Sequence, residues 1–285
     1  MKFAVVGGDR RSALLAGLLL REGYRVRSFA LEKAELPAEI PKESCLQSCV
    51  YGADVVLLPV PAECGPLLNA PLAEAPLPLE ELWAALWPGQ LVIGGRFGEE
   101  SGVRALAGKL ALADLLRRPT FVTGNAALTA EAAAGILLSQ ERAVQNSRCL
   151  ILGFGRIGTL LAAKLRGLGA SVTVAARRET DRALAQALGY DALDLPALEG
   201  RAGEFDSLVN TVPARVLSDA ALCCLSPETP LLELASAPGG FDRKLAENIG
   251  LQVIAAPGLP GRCKPQAAAA LMKEEVFRII REMEE

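Results

Sequence analysis

The stretch Arg148-Cys-Leu-Ile-Leu-Gly-Phe-Gly-Arg-Ile-Gly158 decides how the rest of the chain is read. Its first five residues form a short, bounded apolar run of the kind that makes a buried parallel strand. Gly153-Phe154-Gly155-Arg156-Ile157-Gly158 then matches G-x-G-x-x-G at the point where a helix should open. The first glycine suits the tight turn, the second lets a pyrophosphate approach the backbone, and the third lets helix and strand pack closely. The helix N-terminus adds the positive end of its dipole. All six residues are candidate cofactor contacts; the competing reading is a glycine-rich βα turn that holds no ligand. Further strands are expected at 171–175, 206–211, 230–235 and 251–255, alternating with helical stretches.

A residue that reads the ribose is expected about 20 positions after the first glycine. Arg177 and Arg178 stand near that spacing, where an NAD site usually has a carboxylate. Paired guanidinium groups suit a 2′-phosphate through charge-assisted contacts, so NADP is expected, with NAD as the alternative. Solvated charges at a helix start would look the same. Thr211-Val212-Pro213 and Ala235-Ser236 end two of the expected strands. The carboxyl ends of strands are where an open α/β sheet binds its ligand, so these loops should border the nicotinamide, though each could equally just terminate its strand.

The opening of the chain repeats the pattern. Lys2 to Val6, a helical stretch to Arg21, a Gly23 stop and Tyr24 to Ser28 read as strand, helix, strand. Apolar runs at 53–60 and 90–95 suit further buried strands, while 65–88 reads as a loop with a short helix. A helix is expected from Asn125 to Leu138, capped by an Asn or Thr with Glu131 in its first turn. At the other end Met272, Val276, Ile279, Ile280 and Met283 recur at helical spacing. The expected architecture is α/β: two Rossmann-like doubly wound parallel-sheet domains with a cleft between them and a C-terminal helix packing back on the first domain. The expected boundaries are 1–124 for an N-terminal substrate domain, 125–146 for a linking helix, 147–264 for the NADP-binding domain and 265–285 for the returning helix.

Composition removes whole classes of chemistry. Among 285 residues there is no histidine, which excludes a Ser-His-Asp triad, a His-ligated metal and the His-carboxylate pair of many hydroxy-acid dehydrogenases. A net charge of −3 argues against nucleic acid as a partner, since phosphate binding needs a concentrated positive field. With 51% hydrophobic residues and a mean hydropathy of +0.28, there is material for two cores. The longest apolar run, Ala13 to Leu20, is well short of the roughly 18 residues of a membrane span, and no basic-then-apolar leader opens the chain. A cytoplasmic protein with no membrane partner is expected. Seven cysteines without metal-ligand spacing read as reduced thiols, mostly core filler, and no metal is expected.

Gly7-Gly8-Asp9-Arg10-Arg11 lacks a spaced third glycine and puts a carboxylate where phosphates would lie. Arg10 or Arg11 either holds a substrate carboxylate or is a solvated helix-start charge, and Arg96 carries the same alternatives. Glu131 is either a proton acceptor or a helix-dipole partner.

Taken together, Gly7-Gly-Asp-Arg10, Asn125 through Glu131, Gly153 to Gly158, Asn210-Thr-Val-Pro213, Leu234-Ala-Ser-Ala-Pro-Gly-Gly240 and Ala256-Pro-Gly-Leu-Pro-Gly261 resemble the A subunits of dipicolinate synthases over nearly the whole chain. The two-domain plan is more distantly similar to 2-hydroxy-acid dehydrogenases. The resemblance implies an NADP-dependent oxidation, with loss of water, of 4-hydroxy-tetrahydrodipicolinate to pyridine-2,6-dicarboxylate in the mother cell of sporulating bacteria. It also implies a partner, the flavoprotein-like B subunit of dipicolinate synthase, and an assembly of several copies is expected. Under it, Arg10, Arg96 and Lys264 would bind the small dicarboxylate, Asn125, Thr129 and Glu131 would serve the reacting ring, and Ser236 would lie at the cofactor edge. Forming an aromatic ring by hydride loss asks little of a general base, so the missing histidine is no obstacle. Two alternatives stand beside this: a hydroxy- or amino-acid dehydrogenase using Glu131, Lys264 or Tyr190 for proton transfer, and a nucleotide-binding subunit without catalytic residues of its own.

Overall fold

The computed structural model describes residues 1–284. It divides into two compact units, 1–125 together with the segment from Lys264 onward, and 126–263. The first unit begins β1 (Lys2–Val6), α1 (Arg10–Arg21), β2 (Arg25–Phe29), α2 (Leu46–Val50), β3 (Val55–Leu57), β4 (Glu63–Cys64) and β5 (Leu67–Leu68). It continues with α3 (Leu79–Ala85), β6 (Leu91–Gly94), α4 (Glu99–Ala107), β7 (Ala111–Asp114) and the start of α5 (Pro119–Leu138). Its five main strands lie parallel in the order β2-β1-β3-β6-β7. The order reverses between β1 and β3, so the loops after these two strands flank a topological switch point.

The second unit holds β8 (Arg148–Leu152), α6 (Arg156–Gly167), β9 (Ser171–Ala175), α7 (Glu179–Ala187), β10 (Asp191–Leu193), β11 (Ser207–Asn210) and α8 (Asp219–Cys223). It ends with β12 (Leu231–Glu233), α9 (Arg243–Asn248), β13 (Val253–Ala255) and α10 (Leu259–Cys263), after which α11 (Pro265–Glu284) returns the chain to the first unit. The parallel order β10-β9-β8-β11-β12-β13 is the dinucleotide-binding order, with its switch point between β8 and β11.

Both sheets are covered on both faces, and for that reason their strands read as unbroken apolar runs. In β1, Phe3 and Val5 enter one core while Ala4 and Val6 enter another. In β8, Cys149 and Ile151 face one layer and Leu150 and Leu152 the other. The strand period of two is thus present as a choice between cores rather than between core and solvent.

Several local expectations change. The helix expected from Asn125 starts at Pro119, because proline presets the first helical turn and pushes the preceding residue, Arg118, into extended backbone. Asn125 and Thr129 are therefore interior to α5, and Glu131 lies more than three turns from its start, where it has no helix-dipole role. By length and composition α5 is long and apolar enough to cross a membrane; here Ala130, Ala132, Ala133, Ala134 and Leu137 are buried in the second unit's core. Segment 65–88 contributes, besides helix α3, the strand β5, which pairs antiparallel with β4 just before the segment. The Ala256 to Gly261 stretch runs into the short helix α10 (Leu259–Cys263), an element not expected there. Only Cys49 and Cys149 are buried, the other five cysteines being exposed, so most of the thiols are not core filler.

Helix α11 buries Met272, Val276, Ile279 and Ile280 in the core shared with α1, while Met283 is exposed. A polar clamp fixes it. Glu275, 2% exposed, accepts from Arg118 Nε at 2.8 Å, Thr120 Oγ1 at 2.7 Å and Arg278 Nη1 at 3.0 Å. Arg118 also binds Glu282, and the two carboxylates push its guanidinium further above its ordinary range. Glu275→Ala removes the acceptor of three hydrogen bonds while Arg118 keeps Glu282, so it should destabilise the protein by about 1–3 kcal/mol in urea unfolding. Arg118 holds the exposed Glu282 carboxyl below its ordinary value of 4.5. That stabilisation is complete above the ordinary value and is lost as the pH falls through the depressed one. The difference in urea midpoint between the wild type and Glu282→Gln should therefore close on acidification.

Candidate functional site

The turn after β8 is shaped by close approaches. Gly153 has φ +90°, a left-handed conformation that glycine adopts without steric cost. Its N–H donates to the Ala175 carbonyl at 2.8 Å. A Cβ on Gly158 would run into the Gly153 carbonyl oxygen, so α6 can sit this close to β8 only with glycine there. Gly155 is the N-cap of α6, no side chain caps that helix end, and a Cβ on Gly155 would stand in open space. An uncapped helix N-terminus with free N–H donors beside open space suits an anion. The residues present fit the pyrophosphate of a dinucleotide.

Next to the turn lies a cavity of about 370 Å³, lined among others by Gly153, Ala176, Arg177, Arg178, Val212 and Arg215. Arg177 is exposed. Arg178 is held by Asp181 through two bonds, Nε to Oδ2 at 2.9 Å and Nη2 to Oδ1 at 2.8 Å, which raise its guanidinium pKa. Asp181 lines the same cavity. Arg182 donates to the carbonyls of Ala176 and Arg177 at 2.8 and 2.9 Å, fixing the backbone that presents the two arginines. Arg215 enters from the β11–α8 loop and pairs with Asp219 and Asp242. The Asp242 carboxyl lies below its ordinary range, mainly because it accepts from the Leu245 N–H at the start of α9 and also because of Arg215.

Ala235 and Ser236 border a second cavity of about 250 Å³ at the ends of β12 and β13, together with Glu233, Gly239, Arg243 and Pro257. Thr211 is tied down by its own hydroxyl, which donates to the Leu152 carbonyl at 2.8 Å. Pro213 is exposed, Val212 half-buried. Arg156 is exposed on the first turn of α6 and Ile157 packs on the core. The Phe154 ring is buried against Tyr190 at 6.0 Å, which leaves its backbone as the part that faces the turn. Tyr190 is itself 6% exposed under the Arg166 guanidinium, so it is no proton-transfer group at an open site.

In the first unit, the two opening arginines separate. Arg11 donates through Nε and Nη2 to the Asp9 carboxylate and through Nη2 to the Val60 carbonyl, while Asp9 caps α1. Arg10, the first residue of α1, is exposed and forms no ion pair among the described residues. Arg96, also exposed, follows β6 with φ +57°, a sparsely populated conformation for a side chain of its size. Asp114 holds it there by accepting from its N–H at 3.0 Å. Both arginines sit at the carboxyl edge of one parallel sheet. Lys264 is half-buried immediately before α11, Asn125 is half-buried and Thr129 buried within α5, and Glu131 is exposed there. Among the described residues no cluster of three or more Cys, Asp or Glu side chains could hold a metal ion.

Residues missed by the sequence reading are Asp181, Arg182, Arg215 and Glu233. Glu233 had a signal, being the single acid at the end of an otherwise apolar strand. The others lie on helices and loops whose charges look like any solvated face.

Residues 2–116 match the family model of the N-terminal domain of the dipicolinate synthase A subunit. Residues 120–217 match that of the NAD-binding domain of D-isomer-specific 2-hydroxyacid dehydrogenases. The dipicolinate synthase A subunit of Bacillus subtilis is 27% identical over 297 aligned positions, covering 100% of this chain and 97% of that protein. The crystal structure of the B. subtilis protein superposes with a TM-score of 0.84 at 25% identity, covering 100% of this chain and 97% of that one. Its counterpart from Bacillus halodurans superposes equally well, with a TM-score of 0.84 at 22% identity, covering 98% of this chain and 97% of that one. A transhydrogenase from Sinorhizobium meliloti shares the fold at a TM-score of 0.72 and 16% identity, covering 99% of this chain and 93% of that one. The second unit is thus a nicotinamide dinucleotide-binding domain of dehydrogenase type, and along its whole length the chain resembles the A subunits of dipicolinate synthases.

Proposed function

We propose that the protein oxidises 4-hydroxy-tetrahydrodipicolinate to pyridine-2,6-dicarboxylate, the substrate losing water and then a hydride and a proton. The observation that carries this reading is that a single chain joins a first domain of the dipicolinate synthase type to a nicotinamide-binding second domain, with similarity to the B. subtilis A subunit running from end to end. A bound NADP supplies the hydride acceptor. Gly153, Gly155 and the first turn of α6 hold its pyrophosphate, and Arg177 and Arg178 meet its 2′-phosphate. The one carboxylate lining that cavity, Asp181, is already engaged by Arg178, which favours NADP over NAD.

Arg10 and Arg96 neutralise the substrate's two carboxylates, and Lys264 adds positive charge. Asn125 and Thr129 orient the ring, Glu131 takes part in proton handling, and Ser236 lies at the cofactor edge. Aromatisation drives the hydride's departure, so proton removal can be left to a carboxylate or to water. By its similarity to the B. subtilis protein, the chain works in the cytoplasm of sporulating cells with a flavoprotein-like B subunit, in an assembly with more than one copy of its own chain.

The decisive assay gives the purified chain NADP and freshly prepared substrate and follows nicotinamide absorbance together with the pyridine product. Tight NADP binding without turnover until a partner is added would favour a nucleotide-binding role alone. Arg10→Glu should raise KM for the substrate 10-fold or more while leaving the NADPH Kd unchanged, since a charge-assisted contact contributes about 1.5–3 kcal/mol. Arg177→Ala with Arg178→Ala should weaken NADPH by roughly 10- to 100-fold and NADH far less. Gly155→Ala, whose methyl meets no protein atom, should leave Tm unchanged and weaken dinucleotide binding. Gly158→Ala should lower both Tm and binding, as calorimetry and nucleotide titration would report.

A further inference from the structure

We infer that Glu233 is the positioning residue for the wall of the cofactor cavity formed by residues 212–216; this rests on the nucleotide-binding reading of that cavity. The wall is anchored at two places, and both lead to the Glu233 carboxylate. At its start, Val212 is held by the Asn210 side chain, whose Nδ2 donates to the Val212 carbonyl at 2.9 Å and whose Oδ1 accepts from the Val212 N–H at 3.1 Å. The same Nδ2 donates to Glu233 Oε1 at 2.6 Å, and this fixes which way the carboxamide faces. At its end, the N–H groups of Val216 and Leu217 donate to the Gly240 carbonyl at 2.8 and 3.0 Å. The Gly240 N–H in turn donates to Glu233 Oε2 at 2.9 Å.

Each carboxylate oxygen therefore holds one anchor, and Oε1 also accepts from the Ala235 N–H at 2.9 Å. Asn210 is fully buried, so its carboxamide has no water to turn to if Glu233 is lost. Glycine is required at 240 because a Cβ there would run into the Asn210 carboxamide. The wall carries Val212, Ala214, Arg215 and Val216 into the cavity. Near the turn, Val212 stands so close that its Cγ2 lies 2.5 Å from where a Cβ on Gly153 would be. A small displacement of either anchor is felt at the glycine turn and at Arg215 together.

A carboxylate is needed because both oxygens accept. The amide of Glu233→Gln keeps the shape but turns one acceptor into a donor facing a donor, either Asn210 Nδ2 or the Gly240 N–H. The test titrates wild-type protein, Glu233→Gln, Gly240→Ala and a control, Leu251→Ala, with NADPH, alongside Tm for each. Leu251 is buried just before β13, at the strand's start rather than at the cofactor edge. The expected result is a Kd about 10-fold weaker for Glu233→Gln and for Gly240→Ala, measured well below their Tm, with the wild-type Kd retained by Leu251→Ala despite its lower Tm. Glu233→Asp, which keeps two acceptors, should recover part of the loss. A Glu233→Gln variant that is less stable but binds NADPH as wild type does would overturn the inference and leave the nucleotide reading intact. Failure of the wild type to bind either nucleotide would overturn both.

Discussion

The second domain depends on one steric constraint, the approach of α6 to the turn after β8. The Gly153 carbonyl lies where a Cβ of residue 158 would be, so the helix starts directly above the strand end with its first-turn donors uncapped. Because β8 is central and the strand order reverses beside it, that helix end opens where loops from both halves of the sheet diverge. The arginines after β9, the wall after β11 and the loop after β12 are consequences of that position. A side chain at 158 would move the helix start and with it the geometry all of them share.

The first domain is organised differently. Its switch-point turn carries Asp9 in place of a phosphate cradle, and that carboxylate is spent on capping α1 and holding Arg11. What the sheet edge offers instead is positive charge on short leashes: Arg10 at a helix start and Arg96 in a left-handed turn fastened by Asp114. A non-glycine residue in that conformation carries strain of order 1 kcal/mol or more, and the surrounding hydrogen bonds offset it. The same fold edge thus carries an uncapped helix N-terminus in one domain and exposed side-chain cations in the other.

Much of this was legible in the residues. Apolar runs such as Arg148 to Leu152, the spaced glycines and the stripe from Met272 to Ile280 carry the length, spacing or period that suits a buried strand, a βα turn and an amphipathic helix in turn. The start of α5 was not legible, because Phe121 to Gly124 has weak helix propensity and is held helical by Pro119 and by packing. Strands of two residues, as in β4 and β5, are too short to display any alternation. The role of Glu233 depends on the Asn210 carboxamide and the Gly240 N–H that the fold brings within 3 Å of it, while the local pairings of Asp181 and Arg182 gain meaning only from the cavity that Asp181 and Arg182's acceptor Ala176 border. The difference between Arg10 and Arg11 was invisible for the same reason, since it turns on a carbonyl at Val60.

Helix α11 has a consequence for how the protein is made. Ribosomes deliver the N-terminal part first, yet the apolar side of α1 that Met272, Val276 and Ile279 cover, and the Arg118 cation that Glu275 meets, wait for the last helix of the chain. The dinucleotide-binding unit emerges whole in the interval. A nascent chain paused before Pro265 therefore presents one finished domain and one with an open apolar groove, the species most exposed to chaperones and to premature association with a second copy.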